Sequence, residues 1–247
     1  MRYSRQEILP EIGVQGQQRL CAARVLVIGA GGLGCPALLY LAGAGAGTVG
    51  VVDFDRVDES NLQRQVLFTM NDCGFPKAAA AKAHLAALNP EITINAYDEE
   101  LTDKNVISLF SGYDVIVDGT DNFVTKFLIN DAAVKLCKPV VYGAIQGFEG
   151  QISVFNHAGG PCYRCLRPQP PQALIMNCAQ AGIIGAVAGI IGTMQAMEAI
   201  KIITGHEGFQ PLSGKLWMID ARTMETNTLT IPKRKDCPVC ARSAADI

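Results

Sequence analysis

This 247-residue sequence is poor in charge. Asp, Glu, Lys and Arg make up 18% of it, and 21 cations against 23 anions leave a formal net charge of −2. Affinity for a phosphate backbone needs clustered cations, so a broad nucleic-acid surface is excluded. With 49% hydrophobic residues, the low charge also excludes a disordered or polyelectrolyte chain. Histidine is sparser still: His84, His157 and His206 show no ligand spacing, and no Ser/His/Asp arrangement accompanies them. No apolar run follows Met1–Arg5, so no secretory signal is expected and the expected setting is cytoplasmic. A membrane span is not expected either. Pro168 to Met197 carries no charge, but prolines and amides interrupt it. Its small-apolar part, Ala181 to Met194, falls short of the about 20 residues a spanning helix needs. A buried helix over Ala181–Thr204 is expected instead. Gly182, Gly185, Gly189 and Gly192 mark a face of close backbone approach, inside the domain or at a subunit contact. Internal repeats and low-complexity linkers are absent, which favours one continuous domain over 1–247. Cysteine breaks the pattern of scarcity. Nine is a high and odd count, and in a cytosolic chain cysteines more often serve metal or thiol chemistry than disulfides.

The segments that are present alternate. A helical lead-in over residues 4–20 precedes the β-branched run Arg24–Gly29, which enters Gly29-Ala-Gly-Gly-Leu-Gly34 directly. A helix over Cys35–Ala44 stops at Gly45, and the strand Thr48–Asp53 closes a βαβ unit. Further helices are expected over Lys77–Leu88 and Phe123–Leu136, with strands over Ile92–Tyr97, Val115–Asp118 and Pro139–Tyr142. This predicts an α/β, Rossmann-like, doubly wound and mostly parallel sheet. After Gly150 the strands Gln151–Phe155, Lys215–Asp220 and Asn227–Ile231 suggest an antiparallel continuation. Pro168–Pro171 is the best candidate for a mobile loop.

Gly29, Gly31 and Gly34 satisfy G-x-G-x-x-G between a strand and a helix, the context that the motif requires. Gly31 and Gly32 let the backbone approach a phosphate, and the helix N-terminus beyond supplies N–H groups. Asp53, 19 residues after Gly34, stands where a carboxylate binds ribose hydroxyls. By itself this says nucleotide, with NAD the commoner occupant. Asn61, Arg64 and Gln65 follow closely, then Lys77, then Thr120-Asp-Asn122 after a strand. Two cations, a free carboxylate at Asp121 and amide side chains suit a triphosphate with Mg²⁺ better than a pyrophosphate cofactor.

Cys162-Tyr-Arg-Cys165 and Cys237-Pro-Val-Cys240 are C-x₂-C knuckles separated by 71 residues. Four thiolates suit a closed, structural, tetrahedral zinc site that would pin the C-terminal tail to the body; a pair of redox motifs is the rival reading. Cys178, between a Pro-rich stretch and a glycine-rich helix, is either an activated thiol or an inert small residue. Cys21, Cys35, Cys73 and Cys137 read as structural.

Taken together, the chain resembles the ubiquitin-activating-enzyme-like adenylyltransferases of the MoeB/ThiF group. The resemblance rests on an ordered series that spans nearly the whole chain. It comprises Arg2-Tyr-Ser-Arg-Gln6, Gly29-Ala-Gly-Gly-Leu-Gly34, Asp53-Phe-Asp55, Ser60-Asn-Leu-Gln-Arg-Gln65, Lys77 and Thr120-Asp-Asn122. It continues through Glu149-Gly-Gln151, Cys162-Tyr-Arg-Cys-Leu166, Asn177-Cys178, Gln195-Ala-Met-Glu-Ala-Ile-Lys201 and Cys237-Pro-Val-Cys240. Cys162-Tyr-Arg-Cys-Leu166 with Pro168-Gln-Pro-Pro171, and Phe148-Glu-Gly-Gln151, resemble the molybdopterin-synthase type most closely within the group.

The resemblance implies ATP-dependent adenylation of the C-terminal glycine of a small ubiquitin-fold sulfur carrier ending in Gly-Gly. Residues 1–145 would form the nucleotide-binding part and 146–247 the carrier-binding, zinc-bearing part. Gly32 would lie at the phosphates and Asp53 at the ribose. Ser60, Asn61, Leu62, Gln63 and Arg64 would line the ATP site. Arg64 and Lys77 would contact phosphate, and Asp121 would hold Mg²⁺ with Asn122 beside it. Members are homodimers in which an arginine matching Arg5 reaches the partner's ATP. In several relatives the cysteine matching Cys178 takes up the activated carrier or its sulfur. The chain stops soon after Cys240, so sulfur is expected from a separate donor protein. An NAD-dependent oxidoreductase on the same fold is the rival from another enzyme class.

Overall fold

Strand and helix follow the local chemistry of the chain closely in the computed structural model, which describes residues 2–170 and 182–241. Five β-branched runs pair in parallel: β1 (Arg24–Ile28), β2 (Thr48–Val52), β3 (Thr93–Tyr97), β4 (Val115–Asp118) and β5 (Val140–Gln146). β6 (Glu149–Phe155), β7 (Lys215–Asp220) and β8 (Glu225–Thr230) extend the same sheet in antiparallel fashion. The order β3-β2-β1-β4-β5-β6-β7-β8 is one unbroken ladder, doubly wound in its first five strands.

Period-two alternation separates the two faces. On β1, Val25 and Val27 enter one core with Leu38, Leu41, Val49 and Leu85. Leu26 and Ile28 enter the other, with Phe110, Ile116, Phe127 and Tyr163. Helices α3 (Gly34–Ala44) and α4 (Lys77–Leu88) supply the first layer; α5 (Val106–Ser111), α6 (Phe123–Lys135) and α7 (Tyr163–Leu166) supply the second. The lead-in is two helices, α1 (Ser4–Glu7) and α2 (Gly13–Ala22), parted near Pro10. α5 gives no clear periodic signal because six residues span less than two turns. α3 stops at Gly45, whose φ of 85° is the left-handed conformation of a helix C-terminus.

α8 (Gly185–Thr204) is the charge-poor segment. It starts four residues later than expected, and Ala181 lies outside the described residues, as do Pro171 and Cys178. By length and composition it could cross a membrane. In the fold it is a core helix, packed on α2, α3 and strands β4, β5 and β6. Two of its glycines have the expected role. A Cβ at Gly185 would strike the Gln63 carbonyl, and one at Gly192 would strike the Leu33 carbonyl. Gly182 and Gly189 face open space instead. Among the cysteines read as structural, Cys35 is buried, but Cys21 and Cys137 are exposed and do no core packing.

Candidate active site

Sheet order reverses between β1 and β4, and in such sheets ligands bind in the crevice beyond the strand C-termini at that point. A cavity of about 680 Å³ opens there. Its walls come from the glycine loop, the end of β2, Asn61, Arg64, Gln65, Lys77, the β4–α6 loop, the end of β5 and Arg167.

The glycine loop is shaped by contact. Gly29 has φ 89°, and a Cβ at Gly34 would collide with the Gly29 carbonyl, so strand and helix meet with no room for a side chain. Gly31 faces open space in the cavity wall, and Gly32 packs against Ala188 of α8 and the stem of Arg64.

Asp53 closes β2. Its carboxylate accepts from the Ala30 N–H at 2.7 Å and the Asp55 N–H at 2.9 Å. Burial raises its pKa, against the pull of Lys77 and these amides. Each oxygen keeps a further lone pair for a hydroxyl donor. Lys77, at the start of α4, is buried and bonds Asp55 Oδ2 at 2.9 Å. Arg64 donates to the Ser60 carbonyl at 3.1 Å and to Asn61 Oδ1 at 3.4 Å, both neutral acceptors.

Beneath the β4–α6 loop lies a buried network. Lys126 Nζ reaches Asp118 Oδ2 at 3.0 Å and the Gly143 carbonyl at 2.9 Å, and it stands 4.8 Å from the Tyr142 ring centroid. Asp118 Oδ1 accepts from the Thr120 N–H at 3.0 Å and hydroxyl at 2.6 Å. Gln195 of α8 donates to the Asp118 and Val141 carbonyls at 2.7 and 3.1 Å. The loop so held presents Asp121, which is exposed and makes no hydrogen bond or ion pair among the described residues. Asn122 caps α6, its Oδ1 accepting from the Thr125 N–H at 2.9 Å, which leaves the amide Nδ2 for a ligand.

The two C-x₂-C knuckles meet beside the C-terminal half of α6. Cys162 and Cys237 sulfurs are 3.6 Å apart, Cys165 and Cys240 sulfurs 3.5 Å, and all four lie within 4.8 Å of one another. Ligands at about 2.3 Å from a tetrahedral zinc would stand about 3.8 Å apart, so the cluster could hold that ion. α7 carries the first pair. Its Tyr163 N–H bonds Asn130 Oδ1 at 2.7 Å, and Arg164 forks onto Asp131 at 2.7 and 2.6 Å. Burial pushes the Cys240 thiol up to about 11. Burial opposes ionisation at Cys237 too, but backbone N–H groups of Cys240 and Val239 outweigh it and bring that thiol to about 7.

The sequence model of the ThiF family matches residues 3–239. This chain belongs to the ThiF family. It is 49% identical over 245 residues to a sulfur carrier protein adenylyltransferase of Thermus thermophilus, a match spanning 97% of this chain and 90% of that one. It is also 49% identical over 244 residues to the adenylyltransferase and sulfurtransferase MOCS3 of Anopheles gambiae. That match takes in 98% of this chain but 55% of MOCS3. Among solved structures, E. coli MccB with ATP superposes with a TM-score of 0.86 at 23% identity, over 98% of this chain and 75% of that one. The shared architecture is therefore that of the fold.

Against the sequence expectations, this ThiF-family chain brings Gly32, Asp53, Asn61, Arg64, Lys77, Asp121 and Asn122 to one cavity. Ser60, Leu62 and Gln63 are not among its described lining residues; Leu62 packs on the core, and the Gln63 carbonyl abuts Gly185. Arg5 is remote. Its neighbour Gln6 bonds the Ala44 carbonyl at the far end of α3, roughly 15 Å of helix from the glycine loop. Cys178 lies outside the described residues. Sequence reasoning missed Lys126, Tyr142, Gln195 and Arg167. Only Lys126 had a local signal, a cation one helical turn beyond Phe123 on the helix that follows Asn122.

Proposed function

We propose that this chain is an ATP-dependent adenylyltransferase that activates the C-terminal glycine of a ubiquitin-fold sulfur carrier, in the molybdopterin branch. The observation that carries this reading is the cavity itself: glycine loop, Arg64, Lys77 and an unpartnered Asp121 converge at the topological switch point. The 49% identity to a named sulfur carrier protein adenylyltransferase supports it over most of both chains, and it displaces the NAD-dependent alternative. The Phe148–Gln151 and Pro168–Pro171 segments favour the molybdopterin branch over the thiamine branch.

In this reading Gly31 and Gly32 admit the phosphates to the N-terminal end of α3, and Asp53 takes the ribose hydroxyls through its free lone pairs. Asn61 and Arg64 line the triphosphate, with Ser60, Leu62 and Gln63 shaping the segment from behind. Lys77 contacts phosphate from the start of α4. Asp121 would hold magnesium, which would supply charge neutralisation there, with Asn122 next in the chain. A glycine carboxylate has a pKa of about 3.5 and needs no general base at neutral pH. Its oxygen attacks the α-phosphorus, the bond from that phosphorus to the bridging oxygen breaks, and pyrophosphate leaves with the electron pair. Alignment and charge neutralisation by Arg64 and Lys77 lower the barrier to joining two anions.

Arg5 stands far from its own cavity, which suits action on the ATP of a second copy. Exposed Ile8, Leu9, Val14, Tyr40 and Met197 offer apolar surface for a homodimer. Cys178 is proposed as the thiol that receives the activated carrier or its sulfur, supplied by a separate donor protein. Cys162, Cys165, Cys237 and Cys240 would hold zinc with no open position, a structural role. Residues 1–247 would act as one cytoplasmic unit.

The test mixes the protein with ATP, Mg²⁺ and ubiquitin-fold carriers ending in Gly-Gly, and follows the carrier by mass spectrometry. Gain of AMP on the molybdopterin carrier is expected. No adduct on any carrier, together with no ATP-induced rise in melting temperature, rejects the function.

A further inference from the structure

Four cations line the cavity, and their partners differ. Lys77 is paired with Asp55, and Lys126 is buried against Asp118. Arg64 and Arg167 have no anionic partner among the described residues. They belong to different segments of the wall. Arg64 touches Gly32 beyond β1, whereas Arg167 lies over the Phe123 ring at 5.5 Å, beside the end of β5. Two strand spacings separate β1 from β5, about 10 Å along the sheet. One unpaired cation is thus available to a triphosphate and another is left over.

The surroundings of Arg167 show what it is for. Its backbone N–H bonds the Tyr163 carbonyl at 2.8 Å, so the short helix bearing Cys165 fixes its base. Stacking on Phe123 then restricts the guanidinium to the cavity wall. Glu149, one acidic residue of the same lining, is engaged by Arg222 at 3.2 Å, and no carboxylate forms an ion pair with Arg167 among the described residues. Burial drives the Tyr142 and Tyr163 hydroxyls upward in pKa, and the charge of Arg167 pulls against that at both. The free carboxylate of Asp121 lies two residues from Phe123, and it would repel a second carboxylate entering here unless a cation stood opposite.

We propose that Arg167 binds the C-terminal carboxylate of the incoming carrier and makes the site selective for a free carboxylate terminus. This assignment rests on the adenylation reading above. A planar fork matches a carboxylate bidentately, and its place on a different wall segment from Arg64 keeps the nucleophile apart from the polyphosphate until the two are aligned.

Arg167→Gln and Arg167→Lys test it. Arg167 is exposed, so neither variant empties a core. Binding of a purified ubiquitin-fold carrier ending in Gly-Gly, and of the same carrier as its C-terminal amide, is measured by calorimetry without ATP. Wild type should prefer the carboxylate. Arg167→Gln should bind the carboxylate form about 10- to 100-fold more weakly and lose the preference, and Arg167→Lys should retain part of it. The melting-temperature rise with ATP and Mg²⁺ should be the same in all three proteins. Equal carboxylate preference in wild type and Arg167→Gln overturns the proposal. So does a parallel loss of the ATP shift, which would assign Arg167 to phosphate. Absence of AMP transfer by wild type fails the adenylation reading separately, because the binding comparison uses no ATP.

Discussion

The two halves of the sheet are held together by different means. Around the switch point, β4, β5, α6 and α8 are tied by buried polar groups: Lys126 on Asp118, Asp118 on Thr120, and Gln195 on two carbonyls. At the antiparallel end the outer strand β8 is exposed along its whole length, and the tail beyond it returns to the body through four sulfurs. A polar network holds a loop in one geometry because its bonds converge on Asp118 from three directions. A metal held by those four sulfurs would instead fasten the tail at a single point. Precision is concentrated where chemistry is proposed, and attachment where it is not.

Removing a metal held at the knuckles should break that contrast most strongly. Chelation of a zinc bound there is expected to cost on the order of 10 kcal/mol, the scale of structural zinc sites in general. Hydrogen exchange should then rise over 225–241 while β1 and β2 stay protected; an equal rise at β1 would mean that the halves are not separately held. Next comes Lys126→Met, which leaves Asp118 buried and unpaired. A loss of about 3–5 kcal/mol in denaturant unfolding is expected, and Lys126→Arg should recover much of it. Asp121→Ala should leave the melting temperature unchanged but lower carrier-dependent ATP–pyrophosphate exchange by about 10²- to 10³-fold. Near-normal exchange in that variant would refute the magnesium assignment. The smallest effect belongs to Tyr163→Phe. The Tyr163 hydroxyl is buried without a partner, so deleting it should be neutral or stabilise by about 1 kcal/mol. A marked loss would show that this hydroxyl has a partner in solution.

The sequence made legible what local chemistry dictates. Gly29-x-Gly31-x-x-Gly34 between strand and helix, the β-branched runs, and the two C-x₂-C pairs each carry their meaning within a few residues, and the sheet and both clusters follow from them. Partners distant in sequence were not legible. Gln195 meets Asp118 from 77 positions away, and nothing near either residue announces the contact. Arg167 reads as one more surface cation until the fold sets it on Phe123 and gives Glu149 to Arg222. Cys21 and Cys137 misled for the complementary reason. Cysteine is usually buried, but a helix end and a turn of positive φ place these two outside. The Gly182–Gly192 spacing was half informative, because spacing defines a stripe but not how far a neighbouring backbone follows it.

Gly185 and Gly192 carry a last consequence. They let α8 lie directly on the backbone at Gln63 and Leu33, the two segments that flank the phosphate end of the cavity. The clearance there is set by two hydrogen atoms. A methyl group at either position would push a 20-residue rod outward and widen the mouth for a triphosphate without altering any residue that touches one.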